Sequence, residues 1–378
     1  MHVTLFRVME QEKWLSMGVY ADRLVRGLRL IAPDGIILKP FVPDGVWLPF
    51  DIPIPRLSRR QGSTRILALY FNRSVIYPLL ARRHQGDINH VLDNSYGHLV
   101  HFLDPSQTVV TSHGGTPITW RRWNPEGPAM RFFDWAFAGM LKAALIITVS
   151  EQAKREIVEH YDHDPARIHV IHHGMEEHFQ VLPQERRATV RARFLKPDDE
   201  ALLLHVGHTA ARKNVETLLR AVAVLRKRGL SVRLLRVGKS LTPAQETLLD
   251  ELGIRSWVTQ VPPQPNTALV PFYNAADVFI FPSFYEGFGM PLIEAMACGT
   301  PVVCSDSELF HEVCGDAARF AEPRSAEAFA DAIAEVLTLP ALVAELRQRS
   351  LARARTFTWE ATARQTLAVY HRVLEEGL

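Results

Sequence analysis

Two glutamates, Glu286 and Glu294, stand eight residues apart around the glycine-containing stretch FYEGFGMPLIE. A carboxylate accepts hydrogen bonds from sugar hydroxyls, and the free amides at the start of a helix attract phosphate. Gly287 and Gly289 allow backbone conformations that other residues avoid, and Pro291 suits the first turn of a helix. Acids around an anion-binding helix start fit a ligand that combines phosphate with hydroxyls, which describes a nucleotide sugar.

Two alternatives stand beside this interpretation. The helix dipole favours an acid in the first helical turn by ~0.3–1 kcal/mol, so Glu294 alone fits a purely structural role equally well. The run GFGMPL also approaches the dinucleotide fingerprint, but Leu292 stands where that fingerprint requires a third glycine. We expect a strand over DVFIFPS, a loop over FYEGFG, and a helix from Met290 that carries Glu294 in its first turn.

A second candidate group lies in HVGHTAARKN, where a predicted strand ends at Gly207 and Arg212 and Lys213 precede a predicted helix. Cations near the start of a helix are electrostatically unfavourable, so this pair favours a binding role over a solvated surface pair. A guanidinium fork and an ammonium group together suit a diphosphate.

Short apolar runs alternate with helical patterns along most of the chain, which predicts parallel sheets with helices on both faces. The polar stretch 175–190 separates two such layers, and a long amphipathic helix is predicted from Trp359. Glu286 would then lie at the carboxyl edge of a parallel sheet, where such sheets bind ligands. The predicted strands are 2–6, 108–113, 144–150, 167–174, 201–208, 231–238, 257–261, 277–283 and 300–306.

The bulk composition fits an ordinary globular protein of two domains, with 378 residues, 47% apolar and 22% charged. A net charge of +2 argues against a dedicated nucleic-acid-binding protein. The three cysteines, Cys298, Cys304 and Cys314, match no zinc pattern and fit a reducing compartment. The polar N-terminus predicts no signal peptide, and no apolar run approaches the ~20 residues that span a bilayer. We therefore expect a cytoplasmic protein.

The stretch FPSFYEGFGMPLIEAMACGTPVV resembles the signature of retaining glycosyltransferases of the GT-B fold. These form the large group 1, or family 4, that includes sucrose synthase and many bacterial mannosyl- and glucosyltransferases. The resemblance covers nearly the whole chain and is strongest from 200 to 306. It implies an α/β protein of two Rossmann-like domains whose parallel sheets face an interdomain cleft. The implied domains are an acceptor-side domain at 1–178, joined by a returning helix at 358–378, and a nucleotide-sugar-binding domain at 179–357.

The resemblance also implies roles for single residues. In the family, the first glutamate approaches the donor sugar and the second holds the ribose, so Glu286 and Glu294 inherit these roles. Arg212 and Lys213 are implied to contact the diphosphate, and the amides after Glu286 to hold sugar hydroxyls and phosphate. The remaining implied donor-binding residues are Gly18, Gly207, Gly287, Phe288, Gly289, Met290, Pro291 and Leu292.

His113 follows the predicted strand TVVTS and is implied to hydrogen-bond a hydroxyl of the reacting sugar. With Glu286, Lys213 and Arg212 it completes the implied catalytic set. The chain departs from the family here, since Gly114 stands where many relatives carry Asp. It also has a single glycine, Gly18, where many relatives have two.

No metal or other cofactor is expected. His172 and His173 replace the family's usual Pro-Asn, and adjacent residues on a strand point to opposite faces, so they would not share a metal. The run DHD at 162–164 precedes Pro165 and predicts a turn. The resemblance likewise implies a reaction that needs no metal.

Segment 52–86 carries seven arginines and no acid, with apolar residues between them. Such a segment, chiefly 56–83, could rest on anionic lipid or hold a lipid-linked acceptor at the inner face of the plasma membrane. It also fits an ordinary amphipathic helix with arginines in water, which we prefer.

The resemblance implies retaining transfer of a hexose from GDP-mannose or a UDP-hexose to a hydroxyl of a saccharide or lipid-linked saccharide. Front-side displacement is expected, with a phosphate oxygen taking the acceptor proton. A nucleotide-sugar epimerase on the same fold and a non-catalytic sugar-nucleotide-binding protein remain open. A phosphorylase would need a cofactor lysine and a longer chain. Specificity for the base is expected near 259–265, where Pro262 departs from the family pattern.

Overall fold

The computed structural model describes residues 1–12, 15–43, 68–123, 128–195 and 201–377. Contacts divide the chain into two compact units, Met1–His173 with Trp359–Leu378, and Gly174–Thr358. Each unit is built on one six-stranded parallel sheet with flanking helices. The predicted pair of parallel sheets is thus confirmed.

The strands of the first unit are β1 (His2–Phe6), β2 (Ile37–Phe41), β3 (Ile88–Val91), β4 (Thr108–Ser112), β5 (Leu145–Thr148) and β6 (Ile168–Val170). Its described α-helices are α1 (Leu15–Ile31), α2 (Tyr77–Ala81), α3 (Pro117–Arg121), α4 (Pro128–Met140) and α5 (Glu151–Tyr161). A π-helical segment, Asn72–Ile76, leads into α2, and short 3-10 helices lie at Glu10–Glu12, Asn94–His101, Pro105–Gln107 and Pro165–Arg167. The sheet order is β2-β1-β3-β4-β5-β6.

Strands β2 and β3 were not predicted, for two different reasons. Strand β2 lies at the sheet edge, is partly exposed and contains Pro40, so it lacks a continuous apolar run. Strand β3 is wholly buried, but half of its residues, Asn89 and His90, are polar. His90 is satisfied inside the core, because Nδ1 lies 2.6 Å from the Tyr370 hydroxyl and Nε2 lies 2.7 Å from Thr111 Oγ1.

The C-terminal helix of the chain packs in the first unit. It spans Trp359–Glu376 and lies against α1. A Cβ placed on Gly27 of α1 would lie 2.9 Å from Ala363 Cβ and 3.0 Å from the Trp359 carbonyl oxygen. The two helices therefore approach more closely than any residue larger than glycine would allow at position 27. Tyr370 extends from this helix to His90 in the sheet.

The basic segment of the first unit lies partly outside the described residues, which resume at 68. In the described part, Arg73 is buried rather than exposed. Its guanidinium has partners in the interior, since Nη1 lies 2.9 Å from Glu12 Oε1 and Nη2 donates to the Ser95 carbonyl at 2.6 Å. The expectation that these arginines lie in water is thus wrong for Arg73. Arg82 and Arg83 are exposed.

The strands of the second unit are β7 (Ala201–Gly207), β8 (Val232–Gly238), β9 (Val258–Val261), β10 (Val278–Phe281), β11 (Val302–Ser305) and β12 (Ala318–Ala321). Its helices are α6 (Gln184–Arg191), α7 (Val215–Lys227), α8 (Pro243–Glu251), α9 (Asn266–Ala275), α10 (Met290–Ala297), α11 (Glu308–Cys314), α12 (Ala326–Thr338) and α13 (Pro340–Ala354). The helix of the first unit that spans Trp359–Glu376 is α14. Short 3-10 helices lie at Ala211–Lys213 and Arg255–Trp257. The sheet order is β12-β11-β10-β7-β8-β9.

The central strands of this sheet are buried on both faces, as the apolar runs predicted. Strand β12 was not predicted, because it lies at the sheet edge and is short. Only the two end residues of its sequence ARFA are buried. None of the helices that the structure describes combines the length and the apolar character that a bilayer crossing requires.

Candidate active site

The carboxyl edge of the second sheet brings two loops together. Strands β7 and β10 are neighbours in the sheet, so the segments that follow them meet. The amide of Phe284 donates a 2.8 Å hydrogen bond to the carbonyl of Arg212. Lys213 and Glu286, which are 73 residues apart in sequence, thereby become direct neighbours.

Glu286 is the centre of a buried ion-pair cluster. Its Oε2 lies 2.8 Å from Nη1 of Arg212, and its Oε1 accepts a hydrogen bond from Nζ of Lys213. Burial alone would raise the pKa of Glu286, but the charges of Lys213 and Arg212 outweigh burial and hold that pKa below its ordinary value. Glu286 is therefore ionised at neutral pH. The sequence predicted all three residues for the site but not that they pair with one another.

Asn214 fixes the backbone beside this cluster. It adopts a left-handed conformation with φ of +52°, and its Nδ2 donates to the carbonyls of Pro282 at 2.9 Å and Pro323 at 2.6 Å. Its Oδ1 accepts a 2.7 Å hydrogen bond from Thr217. Asn214 therefore ties the Lys213 loop to the two loops that follow β10 and β12. The sequence signal for this residue is that asparagine tolerates the left-handed region better than most residues.

The helix start after Glu286 follows a glycine in the left-handed backbone region. Gly289 has φ of +101° and precedes α10, and no described side chain caps this helix. The side chains of Phe288 and Leu292 are buried, with the ring of Phe288 5.8 Å from that of Phe357. The side chains of these two residues of the predicted donor-binding set are therefore closed to a ligand, and the Leu292 amide already donates to the Gly289 carbonyl at 2.9 Å.

Glu294 lies one turn farther along α10 than predicted. The helix begins at Met290, so Glu294 is its fifth residue and belongs to the second turn. Its side chain is only 6% exposed and accepts a 2.7 Å hydrogen bond from the Tyr273 hydroxyl. Burial raises the pKa of Glu294 to about 7, and the hydrogen bond from Tyr273 opposes that shift. Because the helix dipole acts within the first turn, it does not explain an acid at this position.

Two buried basic side chains near Gly207 were missed by the sequence analysis. Arg236 on β8 donates to Gln260 Oε1 at 2.7 Å and, through Nη2, to the Gly207 carbonyl at 3.3 Å. His205 on β7 is buried, and neither of its ring nitrogens has a hydrogen-bond partner among the described residues. Burial lowers the pKa of His205, and the nearby charge of Arg236 lowers it further, so His205 stays neutral. The only sequence signal was a basic residue inside each apolar run.

His113 lies in the first unit, just after β4, and both ring nitrogens have partners there. Nε2 lies 2.8 Å from the Leu92 carbonyl, and Nδ1 lies 3.2 Å from Nε2 of His173. Since a carbonyl only accepts, Nε2 of His113 carries the proton, and Nδ1 accepts from His173. A contact between this ring and a sugar hydroxyl would require one of these partners to be given up. Strand β6 ends at Val170, so the prediction that His173 lies on a strand is wrong.

Gly18 lies inside α1, which begins at Leu15. A Cβ on Gly18 would contact nothing within 4 Å, so packing within the chain does not require glycine there. Its role stays a prediction. The DHD run connects α5 to the 3-10 helix Pro165–Arg167, where Asp164 Oδ1 accepts a hydrogen bond from the Ala166 amide at 2.8 Å. In the part of the chain that the structure describes, no group of three or more His, Cys, Asp and Glu side chains is arranged to hold a metal ion.

Comparisons with known proteins match both halves of the chain. The family described as Glycosyltransferase Family 4 matches residues 19–179, and the family described as Glycosyl transferases group 1 matches residues 186–356. The O-antigen chain mannosyltransferase B of Escherichia coli is 30% identical over 279 residues, which cover 72% of each chain. The chain belongs to this glycosyltransferase family. It is thus an enzyme of the retaining type that transfers a sugar from a nucleotide sugar.

Other relatives of this glycosyltransferase differ in the substrates that their names give. A D-inositol 3-phosphate glycosyltransferase of Streptomyces griseus is 31% identical over 306 residues, which cover 74% of this chain and 62% of that protein. The structure of HepE from Anabaena in complex with UDP-glucose superposes with a TM-score of 0.71 and 14% identity, over 98% of this chain and all of that chain. At that identity the likeness shows the GT-B fold alone.

Proposed function

We propose that this glycosyltransferase moves a hexose from GDP-mannose or a UDP-hexose to a hydroxyl of a saccharide or lipid-linked saccharide. The observation that carries the proposal is the cluster in which Lys213 and Arg212 hold Glu286 beside the uncapped start of α10. Cations and an acid beside the start of a helix are what a sugar diphosphate needs. The Escherichia coli relative named for mannosyl transfer and the HepE complex with UDP-glucose support the two donor classes.

The cluster carries one more positive than negative charge, since one carboxylate faces two cations. A diphosphate would compete with Glu286 for Nζ of Lys213 and Nη1 of Arg212. As those contacts move to phosphate, the carboxylate of Glu286 becomes available to accept hydrogen bonds from sugar hydroxyls. The donor therefore organises its own site when it binds.

In the proposed reaction, the bond between the anomeric carbon and the diphosphate oxygen breaks, and the acceptor oxygen bonds to the same face of that carbon. The acceptor proton passes to a phosphate oxygen of the leaving group. Lys213 and Arg212 meet the charge that develops on the diphosphate, so this route needs no metal ion. Both oxygens of Glu286 face cations, which favours an orienting role over a covalent one.

Glu294 would hold the ribose hydroxyls, and His113 and Gly18 of the first unit would contact the donor sugar and diphosphate. The base would be recognised near Gln260, whose Nε2 donates to the carbonyls of Gly238 and Val261, both at 2.9 Å. These assignments rest on the family resemblance.

A thermal-shift screen against UDP, GDP and their hexose conjugates tests the donor proposal. A ligand that binds only the folded state raises the melting temperature by mass action. We expect one base to stabilise the wild type and not the Lys213→Ala variant. Stabilisation by none of these nucleotides at millimolar concentration would contradict the proposal. NMR of the product anomer then tests retention.

A lipid-linked acceptor would bring the first unit close to a membrane. The described part of the basic segment exposes Tyr70, Val75 and Leu79 beside Arg82 and Arg83. Co-sedimentation with anionic vesicles at low salt tests this contact, with Arg82→Glu/Arg83→Glu compared against Arg29→Glu on α1. Pelleting that the double variant loses and Arg29→Glu keeps supports the contact, whereas no pelleting of the wild type removes it.

A further inference from the structure

The amino edge of the second sheet borders a cavity of about 310 Å³ that the donor site does not use. The cavity lies between α6, α13 and the segments that lead into β10 and β11. Its residues Asp277 and Pro301 immediately precede those strands, whereas Glu286 follows the carboxyl end of β10. A strand of four residues spans ~13 Å, so the cavity and the ion-pair cluster lie at opposite edges of the sheet.

Three arginines and one aspartate line this cavity: Arg187, Arg191, Arg347 and Asp277. The carboxylate of Asp277 already has two donors within the protein. Its Oδ2 accepts hydrogen bonds from Nη1 of Arg191 at 2.5 Å and from the Leu202 amide at 2.7 Å. Arg191 is thereby neutralised. The cavity keeps a net charge of +2, carried by Arg187 on α6 and Arg347 on α13.

Neither of these two guanidinium groups has a partner elsewhere in the described chain. The Nε of Arg187 is buried and makes no hydrogen bond with any described residue. Arg347 is half-buried, and its Nε lies 3.3 Å from the point where a Cβ on Gly299 would stand, so it rests against backbone. Partial burial and the charge of Arg187 lower the pKa of Arg347.

We propose that this cavity is a second anion-binding site, whose ligand carries a phosphate group held between Arg187 and Arg347. Guanidinium forks match the oxygens of a phosphate, and one phosphate dianion balances the net charge of the cavity. The volume admits a small phosphorylated molecule. Ala188, Pro301 and Val343 offer apolar contacts to its carbon part. The site does not depend on the proposed sugar transfer.

Calorimetric titration with inorganic pyrophosphate in low-salt buffer tests the site. Because pyrophosphate also suits the cluster at Glu286, the titrations use Lys213→Ala as the parent. We expect Arg187→Gln/Arg347→Gln in that background to bind at least about tenfold more weakly, since each lost charge-assisted contact contributes on that scale. Arg186→Gln, which alters the exposed neighbour on α6, should bind like the parent. Equal binding by parent and double variant would overturn the proposal.

Thermal stability gives an independent readout. Without phosphate, Arg347→Gln removes repulsion from Arg187, so its melting temperature should equal or exceed that of the parent. Added phosphate should raise the melting temperature of the parent and of Arg186→Gln but not of the double variant. If the double variant fails to fold, Arg347→Lys keeps the charge and should retain only part of the pyrophosphate affinity. A phosphate effect that is the same in all variants would contradict the site.

Vesicles distinguish a soluble ligand from a lipid headgroup. Binding of free pyrophosphate that needs Arg187 and Arg347, with no binding to phosphatidate vesicles, identifies a soluble phosphorylated ligand. Vesicle binding that the double variant loses, and that free phosphate competes away, identifies a phosphomonoester headgroup. Binding to neither probe would remove the proposal.

Discussion

The hydroxyl of Tyr273 on α9 donates a 2.7 Å hydrogen bond to Oε2 of Glu294 in the second turn of α10, and both side chains are buried. Burial raises the pKa of the carboxyl to about 7 despite this hydrogen bond. A group that titrates at neutral pH thus stands on the helix that opens beside the ion-pair cluster. Both the binding of a donor and the stability of the fold should depend on its charge.

Nucleotide binding should weaken as the pH falls below about 7, because the proposed contact of Glu294 with the ribose hydroxyls uses the ionised carboxylate as an acceptor. With a pKa of about 7, the ionised fraction falls roughly tenfold between pH 8 and pH 6, and affinity should follow. Calorimetry with the nucleotide selected by the thermal-shift screen measures this effect. Glu294→Gln should bind more weakly and lose this part of the pH dependence. A wild type and variant with parallel pH profiles would exclude Glu294 from the ribose contact.

The stability of the fold should also depend on the Glu294 carboxyl, but in the opposite direction: stability should fall as the pH rises. Its folded-state pKa of about 7 lies above the ordinary value of 4.5, so the protonated form is favoured in the fold. That contribution is fully present below pH 4.5 and is lost as the pH rises through about 7, with a ceiling of about 3 kcal/mol. Melting curves from pH 5 to pH 8 should show the wild type losing stability relative to Glu294→Gln. A difference in melting temperature between the wild type and Glu294→Gln that stays constant across this pH range would show that the pKa of Glu294 is not raised.

Lys213→Ala should lower turnover by ~10²–10³-fold, by analogy with the loss of one charge-stabilising donor. The variant removes the ammonium that would meet the leaving diphosphate and leaves Glu286 with Arg212 alone. Lys213→Arg should recover part of the rate, because it restores the charge. Lys227→Ala, at the exposed end of α7, is the matched control. Initial rates of nucleotide release measure the effect, and full activity of Lys213→Ala would exclude Lys213 from the reaction.

Asn214→Ala should destabilise the second unit by about 2–4 kcal/mol, which shifts the melting temperature by several degrees. The variant leaves the carbonyls of Pro282 and Pro323 without their donor and forces alanine into a left-handed backbone. Asn214→Gly loses the same hydrogen bonds but tolerates φ of +52°, so it should be less damaging. If the two variants have the same melting temperature, backbone strain contributes nothing at this position.

The sequence was most informative where one local pattern decided the structure. The apolar runs of β7 and β10 predicted buried parallel strands, and the loops after them were placed correctly at the carboxyl edge. The pairing of Lys213 with Glu286 could not be predicted, because it depends on β7 and β10 being adjacent in the sheet. That order is a tertiary property.

Polar residues inside the core were the other source of error. His90, His205 and Arg236 are buried on strands, and a pattern of apolar runs cannot say which polar residues will be buried among them. The position of Glu294 was wrong for a simpler reason, since a helix that begins at Met290 completes its first turn before residue 294.

The helix α14 closes the core of a unit whose other residues end at His173, while Gly174–Thr358 forms a continuous unit between them. During synthesis, the ribosome therefore releases every residue of the second unit before it releases the last helix of the first. The second unit has all it needs to fold while the first still lacks Tyr370, the partner of His90. A released chain that ends at residue 358 should thus resist protease in its later half but not in its earlier half.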